Sequence, residues 1–266
     1  MKFEKISLIP NKDDVYIDAY VADPIPNFKR KAILVIPGGG YAQVCADREG
    51  EPIAMAFMPY GYNAFVLHYT VDKKHTFPTQ LIEASTAIKY IKDHAAELDV
   101  DPDEVFTVGF SAGGHLSAST GVFWKLDEVN KAIDMPYGYN KPKGTMLIYP
   151  VITPDHHEIT FKNLWATEEL SKEQKAKSDI AKNIDADSSP AFILHTANDE
   201  IVDVNNSLVC AAAYSRAGVP FEMHIFPDSP HGVALGNKIT ECGNEKWNRP
   251  AISEWVKMAA YWAEHI

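Results

Sequence analysis

The six residues Gly109-Phe110-Ser111-Ala112-Gly113-Gly114 constrain this chain more than any other stretch. An apolar β-type run, Glu104-Val105-Phe106-Thr107-Val108, leads in, and a helix-compatible segment from His115 to Trp124 leads out. The stretch predicts strand, sharp turn and helix, with a serine at the apex. Such a turn holds its apical residue in a strained conformation, at a cost of about 1–3 kcal/mol that the surrounding fold has to absorb. The positions two residues to either side must then be small, as Gly109 and Gly113 are, while Gly114 lets the helix lie close to its strand. The competing interpretation is a glycine-rich strand–helix turn with an incidental serine.

Short apolar runs alternate with helical patterns along most of the chain. Phe3 to Ile9 and Val15 to Val21 alternate at period two around the turn Asn11-Lys12-Asp13-Asp14, which predicts two antiparallel edge strands. Ala32-Ile33-Leu34-Val35-Ile36 is wholly apolar, as a strand buried on both faces requires, and ends at Pro37-Gly38-Gly39-Gly40. A helix from Glu51 to Met58, a strand from Ala64 to Tyr69 and an amphipathic helix from Pro78 to Leu98 follow. Beyond the serine turn come strands at Thr145–Tyr149, Ala191–His195 and Phe221–Phe226, with a helix from Val204 to Ala217 closed by Gly218. Pro250 is expected to open a last helix, with Ile252, Trp255, Val256, Ala259 and Trp262 as one apolar stripe. Residues 151–189 break the pattern, being rich in Lys, Glu, Asp and His, and read as a lid-like excursion of short helices over the sheet's carboxyl edge. The expected architecture is a single α/β domain over residues 1–266, with a mostly parallel sheet of about eight strands covered by helices on both faces.

The formal charge of −11 disfavours nucleic acid or an anionic membrane as a partner. The three cysteines, Cys45, Cys210 and Cys242, are scattered and suggest neither a disulfide framework nor a metal site. Met1 to Ile6 lacks the pattern of a signal peptide, and no apolar run approaches the roughly 20 residues of a membrane span, so a cytoplasmic protein is expected.

In open α/β sheets the reactive groups gather at the carboxyl ends of the strands. A serine hydroxyl needs an adjacent base. Among ten histidines, His231 is best placed, in the loop Pro227-Asp228-Ser229-Pro230-His231-Gly232 directly after the last strand. His195 ends the preceding strand and is expected to be structural, and His115 to pack within the fold. His156 and His157 read as a surface pair, since no third metal ligand has suitable spacing. A carboxylate must hold the base's tautomer. Asp199 is favoured over Glu200, and over Asp203, which could cap the helix starting near Val204. Ser111, Asp199 and His231 then each follow their own strand, in the order expected of a nucleophile-elbow fold. The amides of Ala112, Gly39 and Gly40 are candidate oxyanion donors. No Gly-Lys-Ser/Thr follows the glycine run, which argues against a phosphate cradle.

With these residues assembled, the chain resembles α/β-hydrolases of the esterase/lipase type with an HGGG-like loop. The resemblance lies in Pro37–Tyr41, Gly109–Leu116, Tyr149-Pro150-Val151-Ile152, Asp199-Glu200-Ile201-Val202 and Ser229–Gly232. More narrowly, Arg48–Ala54 and Gly61-Tyr62-Asn63-Ala64 resemble bacterial esterases labelled xylanase, acetyl-xylan esterase or sugar hydrolase. That resemblance implies deacetylation of plant-polysaccharide fragments and no glycosidase activity, since no paired carboxylates stand in a glycosidase-like setting. Pro37 replaces the usual first histidine of the motif, and Thr70 stands where relatives often carry arginine. The expected activity is a cofactor-free serine carboxylesterase acting on short acyl esters, above all acetyl groups of xylo- or manno-oligosaccharides. The alternatives are an arylformamidase- or peptidase-like amidase and a non-catalytic ligand-binding homologue. The expected partner is a small-molecule or oligosaccharide ester, with a homodimer left open. Arg48 and Glu49 either reach a sugar hydroxyl or pair with each other, while Tyr41 and Trp165 either wall the pocket or pack in the core.

Overall fold

Period-two alternation along the strands assigns each buried side chain to one face of a sheet, and in the computed structural model, which describes residues 1–266, each face has its own core. The chain opens with β1 (Lys2–Ser7) and β2 (Tyr16–Val21), an antiparallel pair, and β2 also runs antiparallel to β4 (Tyr62–His68). Between them come β3 (Arg30–Ile36) and two short helices, α1 (Ala46–Glu49) and α2 (Glu51–Phe57). After β4 follow α3 (Thr79–Asp93), β5 (Val100–Phe110), α4 (Ala112–Val122), α5 (Asp127–Ala132) and β6 (Gly144–Ile148). The excursion holds α6 (Glu158–Leu164), α7 (Lys172–Ser178) and α8 (Ile180–Asn183). The chain finishes with β7 (Ala191–Thr196), α9 (Asn205–Ala217), β8 (Phe221–Phe226) and α10 (Trp255–Ala263).

The eight strands form one sheet in the order β1-β2-β4-β3-β5-β6-β7-β8, parallel from β4 through β8. Ala32, Leu34 and Ile36 of β3 enter the core shared with α3, α4 and α9; Ile33 and Val35 enter the core shared with α2 and α10. This alternation lets an unbroken apolar run serve two layers. Each large side chain fully buried there, such as Phe65, Phe106 or Trp255, is worth about 1.5–3 kcal/mol of transfer free energy.

Three boundaries differ from expectation. The strand feeding the serine turn is longer, running from Val100, while α3 stops at Asp93. The chain reverses through Asp99, a positive-φ residue (52°) whose carboxylate takes Lys29 and Arg30. The last helix starts at Trp255 and not at Pro250, because the Ile252 and Ser253 amides both fold back onto the Arg249 carbonyl as turns. All five residues of the apolar stripe are nevertheless buried, since burial depends on where a side chain points and not on whether its turn is helical. No helix is long and apolar enough to cross a membrane.

Thr70 sits beside a buried ion pair. Glu83 is fully buried and accepts the Thr70 amide at 2.8 Å, and Lys12 from the β1–β2 turn pairs with it at 2.6 Å. The cation comes from the β1–β2 turn, and the buried charge is thereby compensated.

Candidate active site

The serine turn is built by contacts too close for any side chain. A Cβ on Gly109 would lie 2.0 Å from the Gly113 carbonyl oxygen, and one on Gly113 would lie 2.1 Å from that of Ile36. Ser111 sits between them at φ 54°, ψ −117°, a costly conformation for a residue with a side chain. Its backbone is fully engaged: the amide donates to Ile148, and the carbonyl accepts from His115 and Val151. The side chain remains accessible at the carboxyl end of β5.

Two loops bring the partners. His231 Nε2 lies 2.9 Å from Ser111 Oγ, and Nδ1 lies 2.7 Å from Asp199 Oδ2. A carboxylate can only accept, so Nδ1 carries the proton and Nε2 is free to take one from the serine. Burial by itself would raise the Asp199 carboxyl, but hydrogen bonds from His195 and His231 and from the Val202 amide outweigh it and hold the group well below the usual carboxylate range. Asp199 is therefore the anion this geometry needs. Of its competitors, Asp203 accepts the Asn205 amide at 2.7 Å at the start of α9, and Glu200 is exposed. The two loops are cross-braced, because Asn198 bonds both Asp228 and the Ser229 amide, and Thr196 donates to the Ser229 carbonyl. His195 is buried against Ser207 and the Val202 carbonyl, in a supporting place behind Asp199.

The glycine loop faces the turn. Three consecutive residues, Gly39 (127°), Gly40 (66°) and Tyr41 (57°), have positive φ. The loop's carbonyls are used up internally: Gly38 takes the Cys45 amide, Gly39 those of Ala42 and Gln43, and Gly40 the Asn163 side chain at 2.8 Å. The amides of Gly39, Gly40 and Ala112 donate to no protein acceptor. Pro37 is held through its carbonyl, which accepts the Tyr69 hydroxyl at 2.8 Å.

The three residues considered for substrate contact each have a partner within the fold. Tyr41 is buried, and its hydroxyl bonds His115 Nδ1 at 2.8 Å. His115 Nε2 faces the Ser178 carbonyl at 2.8 Å, so Nε2 holds the proton and Nδ1 accepts from the tyrosine. Burial lowers the His115 pKa to about 4, which keeps the ring neutral. The result is a clasp joining the glycine loop, α4 and the end of α7. Trp165 donates its indole N–H to Ser178 Oγ at 3.0 Å and packs on Phe77, the core alternative for that residue. Arg48 stacks on Trp247 at 4.0 Å, and Glu49 accepts hydrogen bonds from the Gly38 amide and the Tyr149 hydroxyl, so the two do not pair with each other. The sequence pattern offered no signal for Asn163 or Trp247, nor for the pairing of Glu49 with Tyr149, because each works through a partner distant along the chain. His157 is also no simple surface residue. It is partly buried, with its pKa lowered by burial and by the nearby His231. No group of three or more His, Cys, Asp or Glu side chains comes together as a metal site.

Two surface clefts, of about 650 and 560 Å³, border α10 and α2 and include none of Ser111, Asp199 or His231. The hydrogen-bond geometry, and not cavity size, locates the site.

Comparison with known proteins agrees with this architecture. The BD-FAE family profile matches residues 14–213. Endo-1,4-beta-xylanase B of Butyrivibrio fibrisolvens is 35% identical over 216 residues, covering 79% of this chain and 33% of that protein. The acetylxylan esterase of Xylanibacter ruminicola is 27% identical over 216 residues, covering 77% of this chain and 42% of that protein. This chain thus spans only a third to under a half of those relatives' lengths. Among solved structures, the acetyl ester-xyloside bifunctional hydrolase from Caldicellulosiruptor lactoaceticus superposes with a TM-score of 0.83 at 30% identity, covering 98% of this chain and 95% of that one. The chain belongs to the BD-FAE family and has the α/β-hydrolase fold.

Proposed function

We propose that this protein is a serine carboxylesterase that removes short acyl groups, chiefly acetyl, from carbohydrate. The observation carrying this reading is the unbroken chain Ser111–His231–Asp199, with a loop of undonated amides opposite the serine. Ser111 Oγ attacks the ester carbonyl as His231 Nε2 takes its proton, and Asp199 stabilises the imidazolium. The amides of Gly39, Gly40 and Ala112 receive the charge that develops on the carbonyl oxygen; losing one such donor typically costs about 2.7–4 kcal/mol. His231 then protonates the departing sugar alkoxide. Water, deprotonated by the same imidazole, releases the acid from the acyl-enzyme. Residues 151–189 act as a partial lid, framing the glycine loop through Asn163.

Support for a carbohydrate acetyl ester comes from the names of the relatives. The xyloside activity of the Caldicellulosiruptor lactoaceticus enzyme is not expected of this chain, because the carboxylates near Ser111 are committed: Asp199 to two histidines, Glu49 to Gly38 and Tyr149. The decisive experiment measures acetate release from acetylated xylo- and manno-oligosaccharides beside a panel of C2–C8 p-nitrophenyl esters. Preference for acetylated sugar, with no turnover of p-nitrophenyl β-xyloside, is expected. Preference for long acyl chains, or equal turnover of N-formylkynurenine, would defeat the substrate assignment. Ser111→Ala should lower kcat by about 10⁴-fold or more, and wild-type activity in that variant would defeat the mechanism.

A further inference from the structure

We propose that Glu49 is a positioning residue that ties the oxyanion loop to the loop carrying His231, acting through Tyr149. The inference rests on the serine-esterase reading above.

Glu49 is buried at 3% exposure. Its Oε2 accepts the Gly38 amide at 2.8 Å, and its Oε1 accepts the Tyr149 hydroxyl at 2.8 Å. Gly38 is the residue where the loop touches the nucleophile, since a Cβ there would lie 2.8 Å from Glu49 Oε2 and 3.1 Å from Ser111 Cβ. On the other side, the Tyr149 hydroxyl accepts the Ala234 amide at 3.0 Å, and the Tyr149 ring meets His231 edge-on with centroids 5.0 Å apart. Tyr149 holds φ 38°, an expensive conformation for an aromatic residue, just beyond the end of β6. The preceding residue grips the same loop. Arg48 stacks on Trp247, whose indole N–H holds the His231 carbonyl at 3.0 Å. Two consecutive residues of α1 thus hold the loop of the oxyanion donors and the loop of the general base.

The choice of a carboxylate has a chemical reason. Burying a charge is costly, and a neutral side chain of equal shape would serve a purely packing role. Glu49, however, meets two donors, an amide N–H and a phenol O–H whose oxygen is already taken by Ala234. Only a group with two acceptors and no donor satisfies both; a glutamine would set its own N–H₂ against one of them. The link matters because Ser111 needs the base and the oxyanion donors in register at the same moment. A displacement of about 1 Å in such a site costs on the order of 10²-fold in rate.

The test uses the full chain with p-nitrophenyl acetate, reading kcat and KM separately. Alongside it come inhibition by an aryl trifluoromethyl ketone, which Ser111 attacks to form a tetrahedral hemiketal, and urea unfolding. Glu49→Gln should lower kcat about 100-fold and Tyr149→Phe about 10-fold, each with KM within about 3-fold of wild type. Ketone affinity should weaken in proportion to kcat/KM, because the hemiketal needs both loops in place. Asp47→Asn, an exposed change on the same helix, should leave all three quantities unchanged. The proposal is overturned if the folded variants keep kcat within about 3-fold of wild type, if the loss falls on KM, or if ketone affinity stays unchanged. Should Glu49→Gln fail to fold, Tyr149→Phe decides. An active Ser111→Ala would instead overturn the serine reading beneath it.

Discussion

The serine turn and the glycine loop facing it meet at one point but are held in different ways. Gly109 and Gly113 are packed against backbone carbonyls of the turn and of the end of β3, with no room for a Cβ, and the Ser111 backbone between them is bonded to Ile148, His115 and Val151. Gly40 and Tyr41 are held by single side-chain bonds, Asn163 to the Gly40 carbonyl from 123 residues away and His115 to the Tyr41 hydroxyl from 74 away. Backbone packing yields a rigid serine turn with no adjustable part. Side-chain clasps place the opposing amides through bonds that each contribute about 0.5–1.5 kcal/mol and can be altered one at a time.

This contrast can be broken at three points, in decreasing order of effect. Gly113→Ala puts a methyl group 2.1 Å from the Ile36 oxygen and 2.4 Å from that of Pro37. It should destabilise the protein by about 3 kcal/mol or more, read as the urea midpoint, because neither carbonyl can yield without dislodging the sheet end. A variant of wild-type stability would show that the turn has slack.

The clasp should respond to pH. The folded pKa of His115, about 4, lies below the ordinary value of 6.5. Between those values the unfolded chain binds a proton that the folded chain refuses, so stability is lost as pH falls through this window. The full contribution is on the order of 3 kcal/mol, and His115→Gln should remove it. Identical stability–pH slopes for the two proteins between pH 6.5 and 4 would refute the account. Asn163→Ala has the smallest effect. It frees one carbonyl of the glycine loop and should lower kcat about 3- to 10-fold, with a stability change of about 1 kcal/mol or less. An unaltered kcat would mean that Gly40 is positioned by its own backbone alone.

The same division separates what could be read along the chain from what could not. The strand run before Ser111, the glycines beside it and the loops carrying Asp199 and His231 all follow from local pattern, because strain, turn size and strand ends are short-range demands. Pro250 misled as a helix start for the converse reason: its turn is set by the Arg249 carbonyl and by the Gly236 carbonyl across the loop, and no local preference reports that. Arg48 and Glu49 were visible as a charged pair near a helix start. Their separate partners, Trp247 and Tyr149, lie far away in sequence, and nothing in the spacing connects them.

Lys12 makes the point in the fold itself. The β1–β2 turn is legible from its Asn and Asp residues, yet the fact that its lysine neutralises Glu83 on α3 depends on the packing of the sheet's antiparallel edge. Sequence alone was enough for the α/β alternation, the serine turn and the chain order of the candidate triad, since each rests on interactions between near neighbours or on side-chain periodicity. The tertiary structure decided which carboxylate faces His231, how the amides of the glycine loop are left free, and how α1 joins that loop to the one carrying His231. Those depend on pairs of groups that meet only after the chain has closed on itself, and hydrogen-bond partnership at that range leaves no period or spacing to read.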